Sequence, residues 1–199
     1  MESKAKNPVG LLAGKRLHPL VEAYFELCQL KQLYRQGWLR RGVPKERCES
    51  VAEHSFGVAV LALWLVDAYY PELDAGKVLR MALLHDIGEI YAGDLIPSDS
   101  VSPQEKHQRE EQSVDKVLAK LPAGDVYRAV WGEFEAGDSP EARLVRQVDR
   151  LEMGFQAGVY ASQGLARLGE FSASARRELS DSVLIELMEA VDSLAQGKA

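Results

Sequence analysis

The stretch Ser50–Tyr69, SVAEHSFGVAVLALWLVDAY, decides the fold class. Ser50-Val51-Ala52-Glu53 has the spacing of a capping box, in which serine and glutamate side chains satisfy backbone N–H groups left without partners in a first helical turn. Val51, His54, Val58, Leu61, Leu65 and Tyr69 then recur at helical spacing until Pro71 ends the run. The same period runs through most of the chain.

Working outward, the spacing predicts a first helix over Pro19–Tyr34 with Leu20, Tyr24, Leu27, Leu30 and Tyr34 turned inward, stopped by Gly37 and followed by a loop through Pro44. Asp74 is placed to cap a helix carrying Val78, Met81, Ala82 and His85 on one face. Gly88, Gly93 and Pro97 make Asp86–Ser100 a turn and loop. Ser102-Pro103-Gln104-Glu105 is a second capping box with proline at the first helical position, opening a charged helix to Leu121. Pro122 and Gly124 separate it from a short helix over Val126–Phe134. Ser139-Pro140 opens a long helix carrying Leu144, Val148, Leu151 and Phe155, and a last helix spans Ser182–Leu194. No Asn-Gly or Asp-Gly turn joins alternating segments, so a β architecture has little support. The expectation is an all-α fold, a single domain of roughly six to eight helices. Its core covers residues 17–194, and residues 1–16 are flexible or peripheral.

Composition narrows the function. The 199 residues are 46% hydrophobic and 27% charged, ordinary values for a folded chain. A net charge of -6 argues against a nucleic-acid polymer as partner, but a local basic pocket can still take a small anion. Two cysteines, Cys28 and Cys48, make no disulfide framework, so a cytoplasmic location is expected. No apolar run reaches the ~20 residues that span a bilayer, so no membrane partner is expected.

Among four histidines, His54 and His85 fall on apolar helix faces. Asp86 follows His85 at once, and Asp149 follows Val148 on the long helix. Each alone has an ordinary explanation: a hydrogen-bonded core histidine, a chance dipeptide, or a carboxylate paired with Arg146 or Arg150. Together, two imidazoles and two carboxylates aimed into one interior are best explained by a divalent cation, because buried carboxylates are costly unless neutralised. Mixed nitrogen and oxygen ligation suits Mn²⁺, Co²⁺, Fe²⁺ or Zn²⁺.

His54, then His85-Asp86, then Asp149 resembles the H…HD…D signature of the HD-domain metal-dependent phosphohydrolases. Glu53-His54-Ser55, Leu84-His85-Asp86-Ile87-Gly88-Glu89, Gly93-Asp94-Leu95-Ile96-Pro97 and Val148-Asp149 resemble the 5′-deoxynucleotidase branch. The resemblance implies an HD-domain bundle in which His54, His85, Asp86 and Asp149 bind one divalent cation. It further implies that Glu89 orients or deprotonates the attacking water and that Asp94 contacts the sugar 3′-hydroxyl of a deoxynucleoside 5′-monophosphate. Arg35, Trp38 and Lys106 are the matching substrate-binding residues, although Gly37 stands where bacterial members have an arginine directly before the tryptophan. A homodimer is implied too. Two other readings stay open: an HD phosphohydrolase acting on another phosphomonoester, and a non-catalytic nucleotide-sensing module. Dinuclear relatives need further histidine ligands, and only His18 and His107 remain, which favours a mononuclear site.

Overall fold

Most of the helix starts are set by side chains that stand in for missing backbone partners. In the computed structural model, which describes residues 2–96, 99–165 and 169–195, ten α-helices and one short 3-10 turn at Pro8–Leu12 follow one another. They are α1 (Pro19–Leu27), α2 (Gln36–Arg40), α3 (Val51–Tyr69), α4 (Ala75–Leu84), α5 (Glu89–Ala92), α6 (Pro103–Leu118), α7 (Gly124–Ala136), α8 (Pro140–Ser162), α9 (Gly169–Glu178) and α10 (Ser182–Ala195). No strand occurs among the described residues, only the isolated bridges Ser3–Leu33 and Tyr34–Ser50. The fold is all-α, as the periodicity predicts.

At α3 both halves of the capping box form: Ser50 accepts from the Glu53 N–H, and Glu53 accepts from the Ser50 N–H. Asp74 caps α4, Ser102 caps α6 and Ser139 caps α8, the last two ahead of a proline. Each such cap contributes about 1 kcal/mol and fixes where its helix begins. By length and composition α3 alone among the described helices could cross a bilayer, a window that the sequence reading passed over. Eight of its residues, His54 among them, are nevertheless buried against neighbours such as α4 and α8, as befits the core helix of a bundle.

The apolar interior has two parts. One joins α3, α4 and α8 through Val58, Met81, Val145, Val148 and Leu151, and is closed by Ala175 of α9 and by Leu184 and Met188 of α10. The other joins α1, α6 and α7 through Ala23, Val114, Val117 and Trp131, with Val51 and Ile87. His54 stands between Val51 of the second part and Val58 of the first, and His85 between Met81 and Ile87. Their imidazoles therefore lie where the two apolar clusters meet.

Several expectations need correction. α1 ends at Leu27, and Leu20 (59% exposed) and Tyr24 (52% exposed) face outward. Its inward face is set by a polar contact: buried Glu26 pairs with Lys120 and accepts the Tyr91 hydroxyl at 2.6 Å. Tyr69 is also exposed. Gly37 does not stop a helix but lies inside α2, a turn held by burial of Trp38 rather than by propensity. α5 occupies part of the expected loop at Asp86–Ser100. α9 went unread because its sequence, GEFSASARRE, has almost no apolar stripe; it docks through Ala175, whose Cβ approaches Gly154. These short elements raise the count above the expected range. Residues 2–4, inside the stretch read as flexible or peripheral, are exposed and lie at the periphery, where Lys4 donates its N–H to the Gln32 carbonyl at 2.6 Å and Glu2 and Gln36 exchange two hydrogen bonds.

Candidate active site

His54 sits in the first turn of α3, His85 at the C-cap of α4, and Asp149 midway along α8. Single ligand atoms of these three residues lie within 4.8 Å of one another. His54 Nε2 is 3.0 Å from Asp149 Oδ1 and 3.8 Å from Asp86 Oδ2, and His85 Nε2 is 3.3 Å from Asp86 Oδ2. The four residues that the sequence aims at one point are thus brought together.

The other ring nitrogens are fixed from behind. His85 Nδ1 donates to the Ala82 carbonyl, one turn earlier, at 2.8 Å. His54 Nδ1 lies 2.6 Å from Glu152 Oε2. With both Nδ1 atoms protonated as donors, both Nε2 lone pairs are directed at the shared point, the arrangement that holds histidine ligands on a cation. Glu152 needs space to do this. A Cβ on Gly57 would stand 2.6 Å from Glu152 Oε1, so the glycine inside α3 is the slot for that carboxylate. Sequence reasoning missed Glu152, although it lies three residues after Asp149 in the buried stripe of α8, a spacing that puts both on one face.

A cation fits this donor set. His85 Nε2 and Asp86 Oδ2 are buried without hydrogen-bond partners, and an orphaned base and carboxylate aimed together call for a positive charge between them. The same negative field that would attract a cation also favours protons on the two histidine rings, which a bound cation would displace from Nε2. Burial and the Arg35 charge oppose protonation of His54, yet its bonds to Asp149 and Glu152 push the imidazole up to about 10. Burial also opposes protonation of His85, and Asp86 more than compensates. Asp86 and Asp149 are both held below the usual carboxylate range: burial works against this, but the flanking histidines outweigh it.

Glu89 opens α5 one turn after Asp86 and is only 3% exposed. Its Oε2 also lacks a partner. Burial first, then the Asp86 and Asp94 charges, raise its pKa well above the ordinary value, so it holds a proton readily. Gly88 lets this turn approach α6, since a Cβ there would stand 2.8 Å from the Glu110 Cβ.

The substrate-side residues line a neighbouring cavity of about 950 Å³. Arg35 Nη1 reaches Asp94 Oδ1 at 3.2 Å and lies 3.8 Å from Asp86 Oδ2. Asp94 is buried, and its second oxygen accepts the Gln36 N–H, so it braces the α2 turn and retains only spare lone pairs for a ligand. Lys106 Nζ donates to the Leu95 carbonyl at 3.2 Å and sits 3.5 Å from Glu110. Trp38 lines the cavity but is 2% exposed, gives its indole N–H to Glu49 at 2.7 Å, and is flanked by Tyr160 and Phe171. It supports the wall rather than presenting a free ring edge. Phe171, from the unread α9, is a wall residue that the sequence reading missed. Pro97, the last residue of the Gly93–Pro97 motif, lies outside the described residues. A second cavity of about 550 Å³ meets the first at Asp86, Lys106, Asp149, Arg150 and Glu178.

Comparison with known proteins adds the lineage. The family model of the HD domain matches residues 27–191. A Bos taurus protein named 5′-deoxynucleotidase HDDC2 is 33% identical over 192 residues, which cover 94% of this chain and 91% of that protein. The Homo sapiens protein of the same name is 33% identical, with 83% of this chain and 80% of its own length covered. A solved structure from Pyrococcus horikoshii superposes with a TM-score of 0.71 at 33% identity, covering 88% of this chain and 98% of that one. Another, described as a "Predicted metal-dependent phosphohydrolase" from Magnetospirillum magnetotacticum, gives a TM-score of 0.67 at 28% identity, with 92% and 96% covered. The matched span takes in His54, the His85-Asp86 pair and Asp149 at the meeting point of the three helices, and the chain belongs to the HD domain family.

Proposed function

We propose that this chain is a metal-dependent 5′-deoxynucleotidase, hydrolysing 2′-deoxynucleoside 5′-monophosphates to the deoxynucleoside and inorganic phosphate. The observation that carries the reading is the pair of orphaned, buried ligand atoms, His85 Nε2 and Asp86 Oδ2, facing His54 Nε2 and Asp149 beside a cavity of nucleotide size. The names of the mammalian relatives support the substrate class.

His54, His85, Asp86 and Asp149 would hold one divalent cation, with Mn²⁺, Co²⁺, Fe²⁺ and Zn²⁺ all compatible with the donors. When bound, such an ion polarises phosphoryl oxygens and lowers the pKa of water. The chain's own groups do the rest. Arg35 and Lys106 meet the phosphate charge; both keep their protons despite burial, Arg35 through Asp94 and Lys106 through Glu110. In its ionised form Glu89 takes a proton at Oε2 from the attacking water as oxygen bonds to phosphorus and the bond to the 5′-oxygen breaks. The same carboxyl group then returns a proton to the leaving alkoxide, a transfer for which a raised pKa is suited. Asp94, fixed by Arg35 and Gln36, offers its remaining lone pairs to the sugar 3′-hydroxyl. Unpaired Cys28 and Cys48 fit a cytoplasmic enzyme, and a homodimer is the assembly we expect.

The test is phosphate release from paired deoxy- and ribonucleoside 5′-monophosphates across a panel of Mn²⁺, Co²⁺, Fe²⁺ and Zn²⁺. Higher kcat/KM for the deoxy member of each pair supports the proposal. Equal values remove the sugar specificity, and no release with any ion leaves the sensing module as the better reading.

A further inference from the structure

α9 lies outside every motif that the sequence reading used, yet it forms one side of the main cavity. Its Phe171 ring packs against Trp38, with centroids 4.2 Å apart and planes inclined by 42°. A Cβ on Gly37 would meet Phe171 Cε1 at 3.4 Å, an ordinary contact, so a side chain reaching further along that line would press on the ring. Trp38 is held in turn by its bond to Glu49 and the edge of Tyr160, at a centroid distance of 5.5 Å. The result is an aromatic stack in which Trp38 is the buried backing and Phe171 the half-buried ring beside the cavity.

Arg35, Glu89, Asp94 and Lys106 line this cavity with Asp86 and Asp149, and Ile96, Met153 and Phe171 supply apolar lining, beside the charged Arg41, Glu170 and Arg177. A ligand with an anionic end and a flat apolar body satisfies both kinds of lining. We propose that Phe171 is the platform on which the nucleobase stacks, with Gly37 and Trp38 seating it. The inference rests on the nucleotide reading of the site and assigns its base subsite.

Stacking on an aromatic ring serves any base, because every base has a π-face; its loss changes affinity by roughly five- to hundred-fold. The experiment compares dAMP with 2-deoxyribose 5-phosphate, which keeps sugar and phosphate but lacks the base, in the wild type, Phe171→Leu and Phe171→Trp. Binding of deoxyadenosine, followed by titration calorimetry, supplies a readout independent of turnover. Phe171→Leu is expected to raise KM for dAMP about ten-fold and weaken deoxyadenosine binding to match, with 2-deoxyribose 5-phosphate changed less than about two-fold. Phe171→Trp retains both. Gly37→Leu, which displaces the ring, behaves like Phe171→Leu. Equal effects on the two phosphate esters, or unchanged deoxyadenosine binding in a folded Phe171→Leu protein, would overturn the platform. Wild-type protein that hydrolyses neither ester would instead overturn the functional reading, with the deoxyadenosine titration still deciding the platform.

Discussion

The pole that gathers His54, His85, Asp86 and Asp149 and the wall that carries Asp94, Trp38 and Phe171 border the same cavity but are built in opposite ways. The pole stands on α3, α4 and α8, helices of 19, 10 and 23 residues whose apolar stripes lock into the main core. The wall hangs on α2 and α5, of five and four residues, and on α9, of ten. Its order comes from single contacts between distant segments: Gln36 to Glu2, Asp94 to Gln36, Phe171 to Trp38. Groups on packed helices hold a constellation more tightly than groups on short turns. Chemistry and selectivity are therefore separable here: damage to the pole should appear in kcat or metal affinity, and damage to the wall in KM.

The largest expected effect lies where pole meets wall. Glu89→Gln keeps shape but removes the proton acceptor, and kcat should fall about 10²- to 10⁴-fold with metal affinity and helical circular dichroism little changed. A variant that turns over at the wild-type rate would remove Glu89 from the chemistry. The next effect belongs to the pole's support. Glu152→Gln weakens the bond that fixes the His54 tautomer, and divalent-ion affinity measured by calorimetry should fall about 10- to 100-fold. Gly57→Ala should do the same by a different route, since its methyl group would collide with Glu152.

The wall responds more mildly. Gln36→Ala removes two side-chain bonds to Glu2 and one to the Tyr34 carbonyl, and loosens the turn that carries Arg35 and the Asp94 contact. KM for the nucleotide should rise with metal affinity unchanged, and thermal unfolding should report a loss of about 1–3 kcal/mol from buried polar groups left unpaired. A drop in metal affinity instead would break the separation.

The smallest effect concerns Glu110, beside the wall on α6. Burial pushes its pKa up to about 7 despite Lys106. A carboxyl group that binds its proton more tightly when folded contributes stability below its unfolded pKa and loses it as pH rises through the folded value. Its contribution should therefore fade between about pH 4.5 and 7. Glu110→Gln should flatten that part of the stability–pH curve by an amount on the order of 1 kcal/mol, reduced from the full shift by partial solvent screening.

The same contrast explains what the sequence made legible. Ser50, Asp74, Ser102 and Ser139 announce helix starts because a cap is a local bond between near neighbours. His54, His85 and Asp149 were visible because each interrupts an apolar stripe whose period is itself local. Gly37 was misplaced, the buried setting of Trp38 was not legible, and α9 was missed, because their order depends on partners 11 to more than 130 residues away: Glu49, Tyr160 and Phe171. Glu152 lies between these cases. Its spacing from Asp149 was readable, but its purpose appears only once Gly57 opens the space and His54 comes opposite. Of the inward stripe assigned to the first helix, Leu30 and Tyr34 are buried as expected, whereas Leu20 and Tyr24 face outward because buried Glu26, with Lys120 and Tyr91, turns α1 the other way.

One measurement bears on the cation site most directly: calorimetric titration of ion-free protein with Mn²⁺, wild type beside Asp149→Asn. One ion per chain is expected in the wild type and binding at least about 100-fold weaker in the variant, with the thermal midpoint of the ion-free proteins little changed. Equal binding by the two proteins, or no binding by the wild type, would contradict it.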